Sequence, residues 1–185
     1  MTQNNTSIHT IHNEKSKQDG IEKINRILHQ NRSTVLESYN FIDLQISAII
    51  SQYYFNEFND NFVSRVLYAS SMTSFGRIEI FRSILKETNL YNKKLFEQIQ
   101  LLAKIRNNFA HGSYIFSILK MIADMAVGNK PDKITMYNPK SKDIFGFDCI
   151  TEYNRFMACN KKTQEEITNI YKKMVVLFPN KKNKK

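Results

Sequence analysis

Turn-forming residues are scarce in this sequence: five glycines and three prolines in 185 residues, with no tryptophan at all. So few turn formers argue against a sandwich or barrel built on tight turns, and for helices. Two cysteines, Cys149 and Cys159, are too few for a disulfide framework, and their spacing fits no metal-binding pair. They read as buried or incidental thiols of a reducing compartment. No stretch is long and apolar enough to span a bilayer, so no membrane partner is expected. The first residues, Met1-Thr2-Gln3-Asn4-Asn5, lack the apolar core of a signal peptide, and the expectation is a cytoplasmic protein. Acidic residues are also short, 17 against 27 lysines and arginines, which leaves a formal charge of +10. Such a balance favours polyanions as partners and says little about fold.

What is present is apolar and aromatic material: 42% hydrophobic residues, with 13 Phe and 9 Tyr. That is ample for one core at this length, and two would be hard to accommodate. Residues 1–20 are polar and read as a flexible tail; His9 and His12 within it have no carboxylate or cysteine cluster beside them. Residues 179–185 read as a solvated basic tail that adds non-specific phosphate affinity. Between the tails, 21–178 reads as a single helical domain.

Ile21, Ile24, Ile27 and Leu28 mark a short first helix. Ser33 or Thr34 is placed to cap a second, with Glu37 closing a capping box from Thr34. That second helix, to Phe55, is apolar over much of its surface and is expected to be central and buried on more than one side. A third follows the loop around Ser71–Gly76. A fourth carries Leu95, Ile99, Leu102, Ile105 and Phe109 on one stripe and is ended by Gly112. Helix is expected again over Tyr114–Val127, a loop or short hairpin over 128–150 around Lys133–Tyr137, and a last helix from about Ile150 to Phe178. The fold class is therefore all-α, an antiparallel helical bundle with one irregular insertion.

The densest chemistry is in Lys104-Ile105-Arg106-Asn107-Asn108-Phe109-Ala110-His111-Gly112. At about 100° per residue, Arg106 falls inside the apolar stripe of the fourth helix. A guanidinium there is costly unless paired or placed at a solvated seam, so this face is expected to meet a cleft or another protomer. His111, five residues on, lies about 140° away on an ideal helix. The two side chains converge only if the helix ends or bends there, or if two copies of the site face each other.

An arginine and a histidine together suit phosphodiester cleavage without a metal. RNA supplies its own nucleophile, the 2′-hydroxyl. A histidine can take that proton or deliver one to the leaving 5′-oxygen. An arginine stabilises the charge gathering on the phosphate, and Asn107 can orient the phosphate or the imidazole. The bland alternative pairs Arg106 with a carboxylate and leaves His111 as a helix cap. No cofactor or metal is expected. Asp43, Glu79, Asp124 and Asp148 lie on separate segments, and no serine or cysteine nucleophile has a recognisable motif around it.

Arg-Asn-x-x-Ala-His at the end of a bundle helix resembles the motif of HEPN-domain proteins, whose Arg-x4–6-His marks metal-independent ribonucleases. Glu37–Phe55, Met72–Glu79 and Ile105–His111 are similar in order and spacing to the mannitol-operon-repressor-like branch of that superfamily. The resemblance covers about residues 33–114 and implies a four-helix core with extra C-terminal helices. It implies catalytic or phosphate-contacting roles for Arg106 and His111, with Asn107 as the polar neighbour. It also implies a homodimer with a composite cleft, RNA as substrate, an antitoxin or regulatory protein as partner, and a role as toxin or phage-defence effector. In relatives silenced by nucleotidyl transfer a tyrosine stands two residues after the histidine. Here Tyr114 stands three after, and reads as a packing residue. The alternative within the same branch is a non-enzymatic regulatory module that binds protein or nucleic acid.

Overall fold

In a computed structural model, residues 4–113, 135–136 and 147–180 are described. The elements are α1 (Asn4–Phe55), a short α2 (Asp60–Phe62) continued by a π-helical turn (Val63–Leu67), α3 (Ser74–Glu87) and α4 (Lys93–His111). After these come two-residue strands β1 (Thr135–Met136) and β2 (Phe147–Asp148), and α5 (Cys149–Leu177). The protein is an all-α helical bundle with one antiparallel strand pair, Thr135 opposite Asp148 and Met136 opposite Phe147. No helix among the described residues is long and apolar enough to cross a membrane.

The chain divides into two compact units. One comprises Met1–Val35 and Asn108–Tyr153, the other Leu36–Asn107 and Asn154–Lys185.

The second unit is built from α3, most of α4 and the C-terminal parts of α1 and α5. On α5 the buried positions are Phe156, Asn160, Thr163, Ile167, Ile170 and Met174, the alternating steps of three and four that make one helix face. On α1, Tyr39, Ile42, Ile46, Ile49 and Ile50 form the matching face. Phe41 and Leu44 are 49% and 43% exposed, so α1 keeps one side open to solvent. Polar clasps fix the register of the helices. Gln45 Nε2 donates to Thr168 Oγ1 at 2.9 Å, and Gln52 Nε2 to the Phe178 carbonyl at 2.5 Å. The Asn92 amide bonds Glu166, and the rings of Phe81 and Phe96 meet at 5.5 Å.

Local chemistry sets the helix ends in this unit. Thr73 caps α3 by accepting from the Gly76 amide at 3.1 Å. At its other end, Leu90 N donates to Leu85 O and Asn89 N to Lys86 O, with Asn89 at φ 57°. That is the Schellman arrangement with asparagine in the left-handed position usually given to glycine. At the turn after α1, the Ser51 hydroxyl donates to Glu57 O and accepts from Asn59 N, so one buried side chain folds the chain back.

The first unit has its own buried residues, Leu28, Val35, Phe109 and Cys149. Asp148 begins α5 by accepting from Ile150 N at 3.1 Å and from the Thr151 hydroxyl at 2.7 Å.

The stretch to Gly20 is helical from Asn4 on, as part of α1. The expected second helix does not begin at Ser33 or Thr34, since α1 runs through them without interruption. Residues 4–55 contain no proline and one glycine, which costs about 1 kcal/mol inside a helix and does not stop it. At the other end Pro179 is exposed, while Asn180 is not simply solvated: its Nδ2 donates to Glu57 Oε2 at 3.0 Å. The side chains of His9 and His12, residues 181–185, the helix over Tyr114–Val127 and most of 128–150 lie outside the described residues.

Candidate functional site

The end of α4 carries every residue of the Arg-Asn-x-x-Ala-His motif. The unit boundary falls within it: Arg106 and Asn107 belong to the second unit, Ala110 and His111 to the first.

In the second unit the stripe is as expected, with Leu95, Ile99, Leu102 and Ile105 fully buried. Arg106 stands on its edge and is half-buried. Its guanidinium carbon lies 6.0 Å from the centre of the Tyr39 ring, within cation–π range. Nη1 donates to Asn107 Oδ1 at 3.1 Å, while Nε is buried and has no hydrogen-bond partner among the described residues. No carboxylate among the described residues pairs with it, whereas Arg77 pairs with Asp43, Arg82 with Glu79 and Lys93 with Glu97. Asn107 is exposed and is the nearest polar support of Arg106.

Beneath Tyr39 lies a polar network that sequence reasoning missed. The Tyr39 hydroxyl sits 3.4 Å from Ser74 Oγ, which donates to Asp43 Oδ1 at 3.2 Å. Arg77 closes on the same carboxylate through both faces of its fork, Nε to Oδ1 at 3.1 Å and Nη2 to Oδ2 at 2.5 Å. Its Nη1 donates to the carbonyls of Leu67 at 2.6 Å and Met72 at 3.2 Å, and its guanidinium lies 4.5 Å from the Tyr68 ring centre. Asp43 and Arg77 are each 6% exposed. A buried charge pair is tolerable only when its remaining donors and acceptors are met in this way. Burial pushes the Tyr39 hydroxyl above the ordinary tyrosine range; the Ser74 hydrogen bond and the Arg106 charge work the other way. The clue was present, since Arg77 sits on the apolar stripe of α3 and Asp43 on that of α1, as Arg106 does on α4.

In the first unit, His111 is exposed at the last position of α4, where the helix dipole favours a cation. The helix closes when Gly112 N donates to Asn108 O at 2.7 Å. Arg32 Nη2 donates to the Ala110 carbonyl at 2.7 Å, meeting one of the acceptors a helix end leaves without a partner. Nothing in the sequence pattern pointed to Arg32. Its partner is a backbone group 78 residues away.

Cys149 is buried and its thiol is pushed up to about 12, by burial first and then by the neighbouring Asp148 charge. Such a thiol is no nucleophile at neutral pH. Among the described residues, no three His, Cys, Asp or Glu side chains come together as a metal site. No family of known proteins, no curated protein and no solved structure matches this chain.

Proposed function

We propose that this protein is a metal-independent endoribonuclease of the HEPN kind, acting as a homodimer through Arg106, Asn107 and His111. The observation that carries the reading is the state of Arg106. It is a permanent cation on the edge of an apolar stripe, held by a ring face and one amide, with no carboxylate among the described residues to neutralise it. An arginine kept for structure alone is expected to look like Arg77. One left with charge and donors to spare suits a phosphate.

In this reading the RNA 2′-oxygen attacks the adjacent phosphorus, and the bond from phosphorus to the 5′-oxygen breaks. One proton leaves the 2′-hydroxyl and one arrives on the 5′-oxygen, giving a 2′,3′-cyclic phosphate and a 5′-hydroxyl. The His111 imidazole carries out one of these transfers, a role suited to a ring whose nitrogens can accept or donate a proton. Arg106 stabilises the extra charge on the phosphate oxygens, and Asn107 keeps its guanidinium aimed. Positions five apart on a straight helix diverge by about 140°. Two motifs facing across a twofold axis therefore supply the pair better than one. An antitoxin or regulatory protein would act by covering that face.

The test is cleavage of single-stranded RNA in EDTA by purified protein. His111→Ala should lower the rate about 10²–10⁴-fold, and Arg106→Ala about 10²–10³-fold. Light scattering should give a dimer for all three proteins. Cleavage unchanged by both substitutions, or a monomer that cuts as well, would sink the reading. A second reading, a non-enzymatic interaction module, is favoured by the exposed apolar side chains of Val176 (78%) and Phe75 (66%). It predicts a bound protein partner and no cleavage.

A further inference from the structure

A groove away from the α4 motif joins α1 and α5 within the second unit. It is open to solvent and holds about 500 Å³, with Phe41 and Gln45 on one wall and Lys161, Glu165, Asn169 and Lys172 on the other. Its chemistry is mixed in a particular way. Phe41 is 49% exposed and leaves an aromatic face in water at the groove wall. Gln45 is clamped by donating to Thr168 Oγ1 and to the Gln164 carbonyl, and that clamp leaves its Oε1 buried without a donor. Lys161 and Lys172 are both exposed and bring cations to the α5 wall.

The occupant must therefore offer a flat face for Phe41, a donor for the Glu165 carboxylate, and negative charge for the lysines. A nucleotide unit supplies all of these through its base, its exocyclic amine or 2′-hydroxyl, and its phosphate. Eleven residues separate the two lysines, about 16 Å along a helix axis. At that spacing two exposed lysines meet separate phosphates more readily than a single one, which favours a chain over a mononucleotide. Glu165, between them in sequence, repels phosphate and prefers a hydroxyl or amine, which favours ribose over deoxyribose. We propose that this groove binds single-stranded RNA, with one base stacked on Phe41 and successive phosphates near Lys161 and Lys172. The proposal extends the ribonuclease reading and rests on it for the choice of RNA over other anionic chains.

The test measures binding of a short fluorescein-labelled oligouridylate to the full-length His111→Ala protein by anisotropy, so that cleavage does not intrude. Adding Phe41→Ala should weaken binding about 10-fold or more, the usual loss when a stacking ring is removed. Adding Lys161→Ala with Lys172→Ala should flatten the log–log salt dependence by about 1.4. All of these positions are exposed, and circular dichroism should report an unchanged fold. The same sequence as DNA should bind more weakly. Unchanged binding in the Phe41 variant overturns the proposal, as does equal affinity for duplex RNA or equal competition by an acidic polypeptide. The two readings fail separately. Loss of binding with Phe41→Ala, in a protein that never cuts RNA, keeps the groove and removes the nuclease. Cleavage by wild type with binding indifferent to Phe41→Ala does the reverse.

Discussion

Arg77 and Arg106 occupy equivalent places on neighbouring helices of one compact unit, and the protein treats them in opposite ways. Each lies on an apolar stripe, and each has its guanidinium near a tyrosine ring, at 4.5 Å for Arg77 and 6.0 Å for Arg106. Arg77 is 6% exposed, forked onto Asp43 and bonded to two carbonyls. Arg106 is half-buried, has one amide for support and keeps Nε without a partner among the described residues. Tyr39 joins them, its face to Arg106 and its hydroxyl to the Ser74–Asp43 side of the network. A charge on an apolar stripe is thus not a function by itself. What separates structure from function is whether the surroundings consume the donors.

The contrast breaks or holds first on stability. Asp43→Ala removes one member of the buried pair and strands the Arg77 charge, which should cost about 3–5 kcal/mol in urea or thermal unfolding. Arg106→Ala should cost about 1 kcal/mol or less, the range of a cation–π contact near the surface. Equal losses would erase the distinction. A middle effect is expected at Arg32, whose bond to the Ala110 carbonyl holds the motif end of α4. Arg32→Ala should cost about 1.5–3 kcal/mol. It should also lower any cleavage rate by less than His111→Ala does, because it acts on position alone. The smallest effect concerns Cys149, whose buried thiol is pushed up to about 12. Iodoacetamide at neutral pH should modify the half-buried Cys159 well before Cys149. Arg106→Ala should leave that order unchanged, which checks that the variant keeps its fold.

The all-α class and the stripe of α4 were legible because a 3.6-residue period and a lack of turn formers are local signals. Leu95, Ile99, Leu102, Ile105 and Phe109 are all fully buried, and the last helix begins one residue from where the spacing put it. The expected break at Ser33–Thr34 is absent because capping residues permit a helix start without forcing one, and residues 21–55 hold no glycine or proline to interrupt the helix. The Asp43–Arg77 pair and the Arg32 clasp escaped for a different reason. Their partners are 34 and 78 residues apart, and only the folded chain brings them together. Arg106 was visible as a charge out of place. What keeps it there, the Tyr39 ring, was not.

The central claim, that Arg106 and His111 work on a phosphodiester rather than on the fold, meets its most direct test in one substrate comparison. Purified wild-type protein in EDTA is given an RNA it cuts, and the same RNA with a 2′-O-methyl group at the cut position. The first should yield a 2′,3′-cyclic phosphate, and the second should stay whole at that position. Both His111→Ala and Arg106→Ala should fail on the first while remaining folded. Cutting of the methylated RNA at the same position, or full activity in either variant, would contradict the claim.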